Sequence, residues 1–315
     1  MGTTLVTVIY ARELHLLRLQ AVSISKYLGP SVEVHSIIII ANGPNQAALR
    51  RTILRKVVPL YGRFTTRVIV MLGEELLAES LTGSGWHTQQ VIKLEVARKI
   101  STPSYLVLDA KNHLVRPLDY VDLFAPDGRI YASILGRTSM EEYLKFSLVA
   151  TGAVYDDDAS TAFSCTTPSL LDTSIVMSLL AYLETNDVLP LSLIMRYPQQ
   201  EATEFFLYFG HALATNTFDA RHTRRMKIDR TIWGDSEAED NVSLDQVSMD
   251  PTIKVMGLHR RGLLARDEGG LSQIATVLRD RALFSSTHRA IRFLKRARAE
   301  VDGKRRPLLD LLPDL

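Results

Sequence analysis

Apolar and polar positions alternate along the first hundred residues with two periods. "LVTVIYA" (5–11) is a β-branched run that reads as a buried strand. "RELHLLRLQAVSISKYL" (12–28) spaces its apolar residues as a helix does and stops before Gly29-Pro30. "VEVHSIIIIA" (32–41) predicts a second strand, closed by Asn42-Gly43-Pro44, and 45–61 a second helix that Pro59 should end early. "TRVIVML" (66–72) and "YLVLD" (105–109) predict further strands, with a helix over 86–100 entered through "LTGSG". This strand–helix rhythm predicts an α/β fold, Rossmann-like, with a mostly parallel sheet covered on both faces.

Beyond 117 the pattern loosens. It predicts a short helix at "LDYVDLF", a strand over 129–135, and helices over 140–155, 170–184 and 202–214. The polar stretch 234–246 reads as an exposed loop, 252–266 as a strand running into a helix, and two more helices close the chain. No internal repeat or low-complexity linker interrupts it. One elaborated domain is therefore expected, with a core over 1–267 and a helical extension over 268–315.

Ligands of such sheets bind beyond the carboxyl ends of the strands. The predicted strand ends are Tyr10-Ala11, Asn42-Gly43, Met71-Leu72-Gly73 and Asp109-Ala110-Lys111. Asn42 and Asp109 are therefore polar residues where a ligand would sit.

Composition narrows the classes. With 46% hydrophobic and 23% charged residues and a net charge of +2, the 315-residue chain reads as globular, without a charge argument for nucleic acid. The segment 288–306 is locally basic, with Ile291, Phe293 and Leu294 among its arginines and lysines. It reads as a solvated helix face; the sharper alternative is peripheral contact with anionic lipid headgroups at the inner membrane. One cysteine, Cys165, offers neither a disulfide nor a zinc cluster and suits a cytoplasmic setting. The N-terminus lacks a signal-peptide pattern, and no apolar run is long enough to span a bilayer. Walker, dinucleotide, H-E-x-x-H and G-x-S-x-G motifs are all missing.

Two stretches carry chemistry: "GWHTQQVIKL" (85–94) and "YLVLDAKNHLVRP" (105–117). Gln89 and Lys93, four apart, share a helix face, with Gln90 beside them. A helix N-terminus facing the crevice would add amide donors for a phosphate. Together with "TTPSLLDTSIV" (166–176), "TEFFLYFG" (203–210) and "VMGLHRRG" (255–262), these stretches resemble, in order and spacing, a bacterial glycosyltransferase-like branch of the A-type nucleotide-sugar transferases associated with capsule and exopolysaccharide loci. The resemblance spans about residues 3–265.

The resemblance implies an A-type glycosyltransferase core with C-terminal helical additions. It implies transfer of a sugar from a nucleotide-sugar donor to a glycan or lipid-linked acceptor. Thr7, Tyr10 and Asn42 would cradle the base, and Asp109 would approach ribose or metal. His259, followed by Arg260 and Arg261, would meet the diphosphate. Glu204 would be the general base. The metal pattern breaks at Lys111, which stands where a second acidic residue is expected. A protonated lysine repels a divalent cation but can stabilise a diphosphate as a point charge. The expectation is therefore a transferase that needs no metal, with Lys93, Lys111, His259 and Arg260 or Arg261 neutralising the leaving group and Asn112 beside them. Mn or Mg stays open if Asp109 and His259 retain an ion. A non-catalytic nucleotide-sugar-binding or scaffold subunit is the alternative. Trp86, Trp233 and Asp156-Asp157-Asp158 carry less weight.

Overall fold

The computed structural model describes residues 2–77, 85–134, 140–154, 163–186 and 202–303. Its central sheet has five strands in the order β3-β2-β1-β4-β7. These are β1 (Thr3–Tyr10), β2 (Val34–Asn42), β3 (Val68–Leu72), β4 (Ser104–Asp109) and β7 (Ser169–Asp172). The first four run parallel, and β7 closes the edge antiparallel to β4. β5 (Asn112–Leu114), β9 (Asp229–Ile232) and β10 (Val255–Leu258) form a small mixed sheet, and β6 (Ile130–Ile134) pairs with β8 (His222–Met226). The mostly parallel α/β architecture is the one the periodicity predicts.

β1 is buried on both faces because both are covered. Leu5 and Ile9 point into a core shared with α1 (Leu14–Tyr27), α2 (Gln46–Lys56) and the C-terminal helices. Val6 and Val8 point into a second core with α3 (Gly85–Glu95) and the Glu204–Ala214 helix. Each fully buried aliphatic side chain contributes about 1.5–3 kcal/mol of transfer free energy, so a strand of this composition is stable only between two layers.

The strand order reverses between β1 and β4, since β2 and β3 follow on one side and β4 and β7 on the other. That switch opens a crevice between their carboxyl ends. The turn after β1 and the Asp109–Asn112 turn after β4 therefore face one another.

Several expectations are corrected here. The helix predicted over 170–184 begins as strand: Leu170-Leu171-Asp172 pairs with β4, and the helix starts at Thr173. Asp172 marks the change, accepting from the backbone N–H of Ser174 (2.8 Å) and Ile175 (3.2 Å) as an N-cap. The stretch read as an exposed loop, 234–246, is largely helical over Glu237–Met249. Its acids Glu237, Glu239 and Asp240 lie in the first turn, where they complement the helix dipole, and Leu244 and Val247 are buried.

The Glu268–Asp280 and Thr287–Val301 helices bury Leu271, Ile274, Phe293 and Leu294 in the same core as α1. The apolar residues of the basic segment thus face the interior, leaving the lipid-contact alternative without an apolar face. Among the described residues no helix is long and apolar enough to cross a membrane. Asp156-Asp157-Asp158, most of "LTGSG" and residues 304–306 lie outside the described residues.

Candidate active site

A cavity of about 640 Å³ fills the crevice, a size that accommodates a small-molecule substrate. Of the residues singled out in the sequence, Tyr10, Asn42, Gln89, Lys93, Asp109, Lys111, Glu204, His259 and Arg260 line it, as do Gln90, Trp86 and Trp233, which carried less weight. The topology brings the first group together from β1, β2, α3, the turn after β4, and the starts of two later helices.

At its centre is a chain of charges. The Lys93 ammonium lies 2.9 Å from Asp109 Oδ1 and 3.0 Å from Glu204 Oε1. Lys111 pairs with Asp109 Oδ2, which also accepts from Thr167 Oγ1 at 2.9 Å. Burial alone would pull the Lys93 pKa down, but Asp109 and Glu204 outweigh it and hold the ammonium charged. Burial would likewise push Asp109 up; Lys111 and Lys93 overcome this and keep its carboxyl well below the usual range. Glu204 is left higher than an ordinary glutamate, because burial outweighs the opposing Lys93.

The turn that carries Asp109 and Lys111 is held from beneath. Asn112 Oδ1 accepts from the Asp109 N–H (2.8 Å), closing the turn. Gln20 on α1, fully buried, donates through Nε2 to the carbonyls of Asp109 (2.6 Å) and Asn112 (3.2 Å) and accepts from Thr7 Oγ1 (3.0 Å). Thr7 and Asn112 are therefore supports beneath the cavity wall and do not line it. Arg261 also lies outside the lining. It is exposed and paired with Asp235 at 3.0 Å.

Other contacts fix the walls. Tyr10 bridges the ends of β1 and β2 and the start of α3: its hydroxyl accepts from Asn42 Nδ2 (2.6 Å) and donates to the Gly85 carbonyl. Gly43 (φ +93°) allows this approach, since a Cβ there would sit 3.0 Å from Tyr10 Cδ1. Gln89 Nε2 donates to the Val8 carbonyl at 3.1 Å, tying α3 to β1. Gln90 Oε1 accepts from the Glu204 N–H at 3.2 Å.

His259 stands at the start of the Arg260–Ala265 helix, its Nδ1 accepting from the Arg261 N–H at 3.3 Å. Its ring lies 4.9 Å from that of Trp233, over which Lys111 also reaches, at 5.5 Å. Burial, with Lys111, Arg261 and Arg260 nearby, lowers the imidazole pKa to about 4. His259 is thus neutral at pH 7 and brings a hydrogen-bonding imidazole, not a fixed charge, to the cavity.

Asp109 and His259 do not fit a divalent cation. Both Asp109 oxygens face ammonium groups, which repel a cation there, and among the described residues no three His, Cys, Asp or Glu side chains converge.

Sequence reasoning gave no role to other lining residues: Arg12, Glu13, Thr166, Thr167 and, as a wall residue, Met140; Cys165, weighed there only as a lone thiol, is a second wall residue. Arg12 and Glu13 belong to the 3-10 turn Ala11–Glu13 after β1. Their position directly after a strand end was the available signal. Burial pushes the Cys165 thiol up to about 11, which suits a wall residue and not a nucleophile.

The profile of a protein family, described as a family of unknown function (DUF6492), matches residues 23–241, well over half of the chain. The chain belongs to the DUF6492 family. The matched residues include Gln20's partners Asp109 and Asn112 and the whole Lys93–Asp109–Lys111–Glu204 cluster, while Tyr10, Glu13 and His259 fall outside them. No curated protein matches the chain. Similar solved structures include the galactosyltransferase LgtC in complex with donor and acceptor sugar analogs, at 12% identity over 93% of this chain and 96% of that one, TM-score 0.48. The bifunctional glycosyltransferase WbbM is similar at 10% identity over 81% of this chain and 45% of that one, TM-score 0.46. Mouse xyloside xylosyltransferase 1 is similar at 10% identity over 82% and 97%, TM-score 0.44. At such overlap no residue's role passes from them to this DUF6492 chain.

Proposed function

We propose that this protein transfers a sugar from a nucleotide-activated donor to a glycan or lipid-linked acceptor, holding the donor's diphosphate with its own cations. One observation carries the reading: at the β1–β4 switch point, four cationic side chains, Arg12, Lys93, Lys111 and Arg260, line one cavity with a carboxylate turn. Arg12 and Arg260 make no ion pair among the described residues. They are available to an anion without breaking a contact.

Breaking the bond between the anomeric carbon and the diphosphate puts charge on the leaving oxygens, and preorganised positive charge there lowers the barrier. Lys111, at the rim of the paired cluster, turns from Asp109 Oδ2 to a phosphate oxygen. Asp109 keeps Lys93 on its other oxygen and gains a free edge for a ribose or sugar hydroxyl. Lys93, buried between two carboxylates, stays in place and balances them. Glu204, bound to Lys93, serves in this arrangement as the counter-charge that keeps Lys93 fixed.

The test is calorimetric titration with uridine, guanosine and cytidine diphosphates, each with manganese and with excess chelator. Binding that survives chelator is expected, and Lys111→Ala should weaken it about 10- to 100-fold, the worth of one charge-assisted hydrogen bond. Binding only with manganese would overturn the metal-free arrangement. No binding to any of them would overturn the donor-site reading.

A further inference from the structure

We propose that Glu13 is the group that takes the acceptor's proton. The inference rests on the sugar-transfer reading above and adds the base that this reading lacks. Among the described residues three carboxylates line the cavity: Glu13, Asp109 and Glu204. Two are already engaged, Asp109 by Lys93 and Lys111, and Glu204 by Lys93 at 3.0 Å. Asp109, held below the usual range by two ammonium groups, is a weak proton acceptor; Glu204 is raised by burial, but it is engaged in fixing Lys93, and a proton on it would take away one of that buried ammonium's two partners. Glu13 is different. It stands at the N-cap position of α1, yet its side chain makes no capping hydrogen bond. Among the described residues its carboxylate makes no hydrogen bond or ion pair at all.

Its surroundings suit the role. Glu13 is half-buried at the carboxyl end of β1, facing the Asp109–Lys111 turn and Arg260. Burial, and then the charge of Asp109, push its pKa above the ordinary glutamate value, with Lys111, Arg260 and Lys93 opposing. A base works best when its pKa approaches the working pH, and a raised carboxyl moves in that direction. The cations opposite are those that would hold the diphosphate, so the base and the leaving-group site share one cavity.

The step balances without a further reagent. The acceptor oxygen forms its bond to the anomeric carbon as its proton passes to Glu13. The bond from that carbon to the phosphate oxygen breaks, and its electron pair leaves with the diphosphate. The proton on Glu13 returns to solvent when the products depart.

The experiment compares wild type with Glu13→Gln, Glu13→Asp and Glu204→Gln, using hydrolysis of UDP-glucose, UDP-galactose and GDP-mannose, with water as acceptor, and calorimetric Kd for the matching diphosphate. Glu13→Gln should lower kcat about 10²- to 10⁴-fold, abolish the acidic limb of the kcat/KM profile, and leave the diphosphate Kd within about threefold, since the base touches the acceptor side. Glu13→Asp should recover part of kcat and keep the acidic limb. An acidic limb that survives in Glu13→Gln and vanishes in Glu204→Gln would overturn the assignment in favour of Glu204. A Glu13→Gln loss seen equally in Kd would make Glu13 a binding residue and also overturn it. A wild type that hydrolyses donors while Glu13→Gln matches it sinks this inference alone. A wild type that binds no diphosphate sinks the reading beneath it.

Discussion

Lys93→Met isolates the physics of the buried cluster. The lysine side chain is 6% exposed and holds Asp109 at 2.9 Å and Glu204 at 3.0 Å. Methionine fills similar volume without charge. Asp109 keeps Lys111 and Thr167, so the deficit falls on Glu204, 4% exposed, which loses its ammonium partner. Leaving a buried charge unpaired costs about 3–5 kcal/mol. The glutamate can escape that cost by taking a proton, which limits the loss. Starting from about 4.3, at about 1.4 kcal/mol per pH unit, neutralising it at pH 7 costs about 3.7 kcal/mol and at pH 5 about 1 kcal/mol. The variant should therefore lose about 3–4 kcal/mol at pH 7 but only about 1 kcal/mol at pH 5. The sign is fixed by proton uptake: the folded variant binds a proton that its unfolded chain does not, so its stability falls as pH rises from about 4.3. The wild-type reference is steady against Asp109, whose depressed pKa confines its own loss to pH below about 4, while Glu204, already raised, gives the wild type a smaller loss in the same direction, so these figures are upper bounds on the gap. Urea denaturation at both pH values measures the gap, with Lys93→Met/Glu204→Gln as the coupled variant. The double substitution should recover most of the loss at pH 7. A gap that ignores pH, or a double variant no more stable than the single one, would refute the reasoning.

Two further outcomes follow from the same geometry. Gln20→Leu removes three hydrogen bonds beneath the Asp109–Asn112 turn; it should cost about 1–3 kcal/mol in urea denaturation and weaken diphosphate binding, although Gln20 lies outside the cavity lining. His259, lowered to about 4, should show an imidazole NMR titration near that value and none near 6.5. Its folded pKa is depressed, so its share of stability is present above about 6.5 and is lost as pH falls toward 4. His113 and His222, also lowered to about 4 by burial, share that slope, so His259→Gln should flatten only part of it.

The sheet was legible because its strands carry their own signal. β1, β2 and β4 each carry an apolar, largely β-branched run ended by Tyr10, Asn42 and Asp109, and the strand-end rule placed those residues at a crevice without any coordinates. What escaped notice has local pattern without local cause. Leu170-Leu171-Asp172 continues smoothly into the apolar spacing of the helix after it, and only pairing with β4 makes it a strand. The acids of 237–240 look like loop composition, yet a helix N-terminus wants the same residues. Arg12 and Glu13 read as the first residues of the helix over 12–28. That helix starts at Leu14, and the 3-10 turn Ala11–Glu13 brings both to the cavity wall. Gln20, mid-helix and unremarkable in sequence, acquires its role only when β4 and β5 meet beneath it.

These supports explain how lysine is tolerated at position 111. The turn geometry does not depend on that side chain: Asn112 closes it from within and Gln20 pins its carbonyls from below. The charge at 111 is thus free to vary without loss of the fold. Lysine there gives Asp109 a second ammonium, and two lysines now balance two acids, Asp109 and Glu204. A divalent cation entering that cluster would have to displace an ammonium from a carboxylate and then sit beside it, so a metal and Lys111 compete for the same oxygens. An incoming diphosphate meets the opposite situation. Among the described residues Arg12 and Arg260 make no ion pair, Lys111 has one carboxylate to leave, and the acid it leaves still holds Lys93. The electrostatics of the cavity therefore discriminate by sign: they resist a cation at Asp109 and, under the proposed function, leave Arg12, Lys111 and Arg260 to meet an anion opposite Glu13.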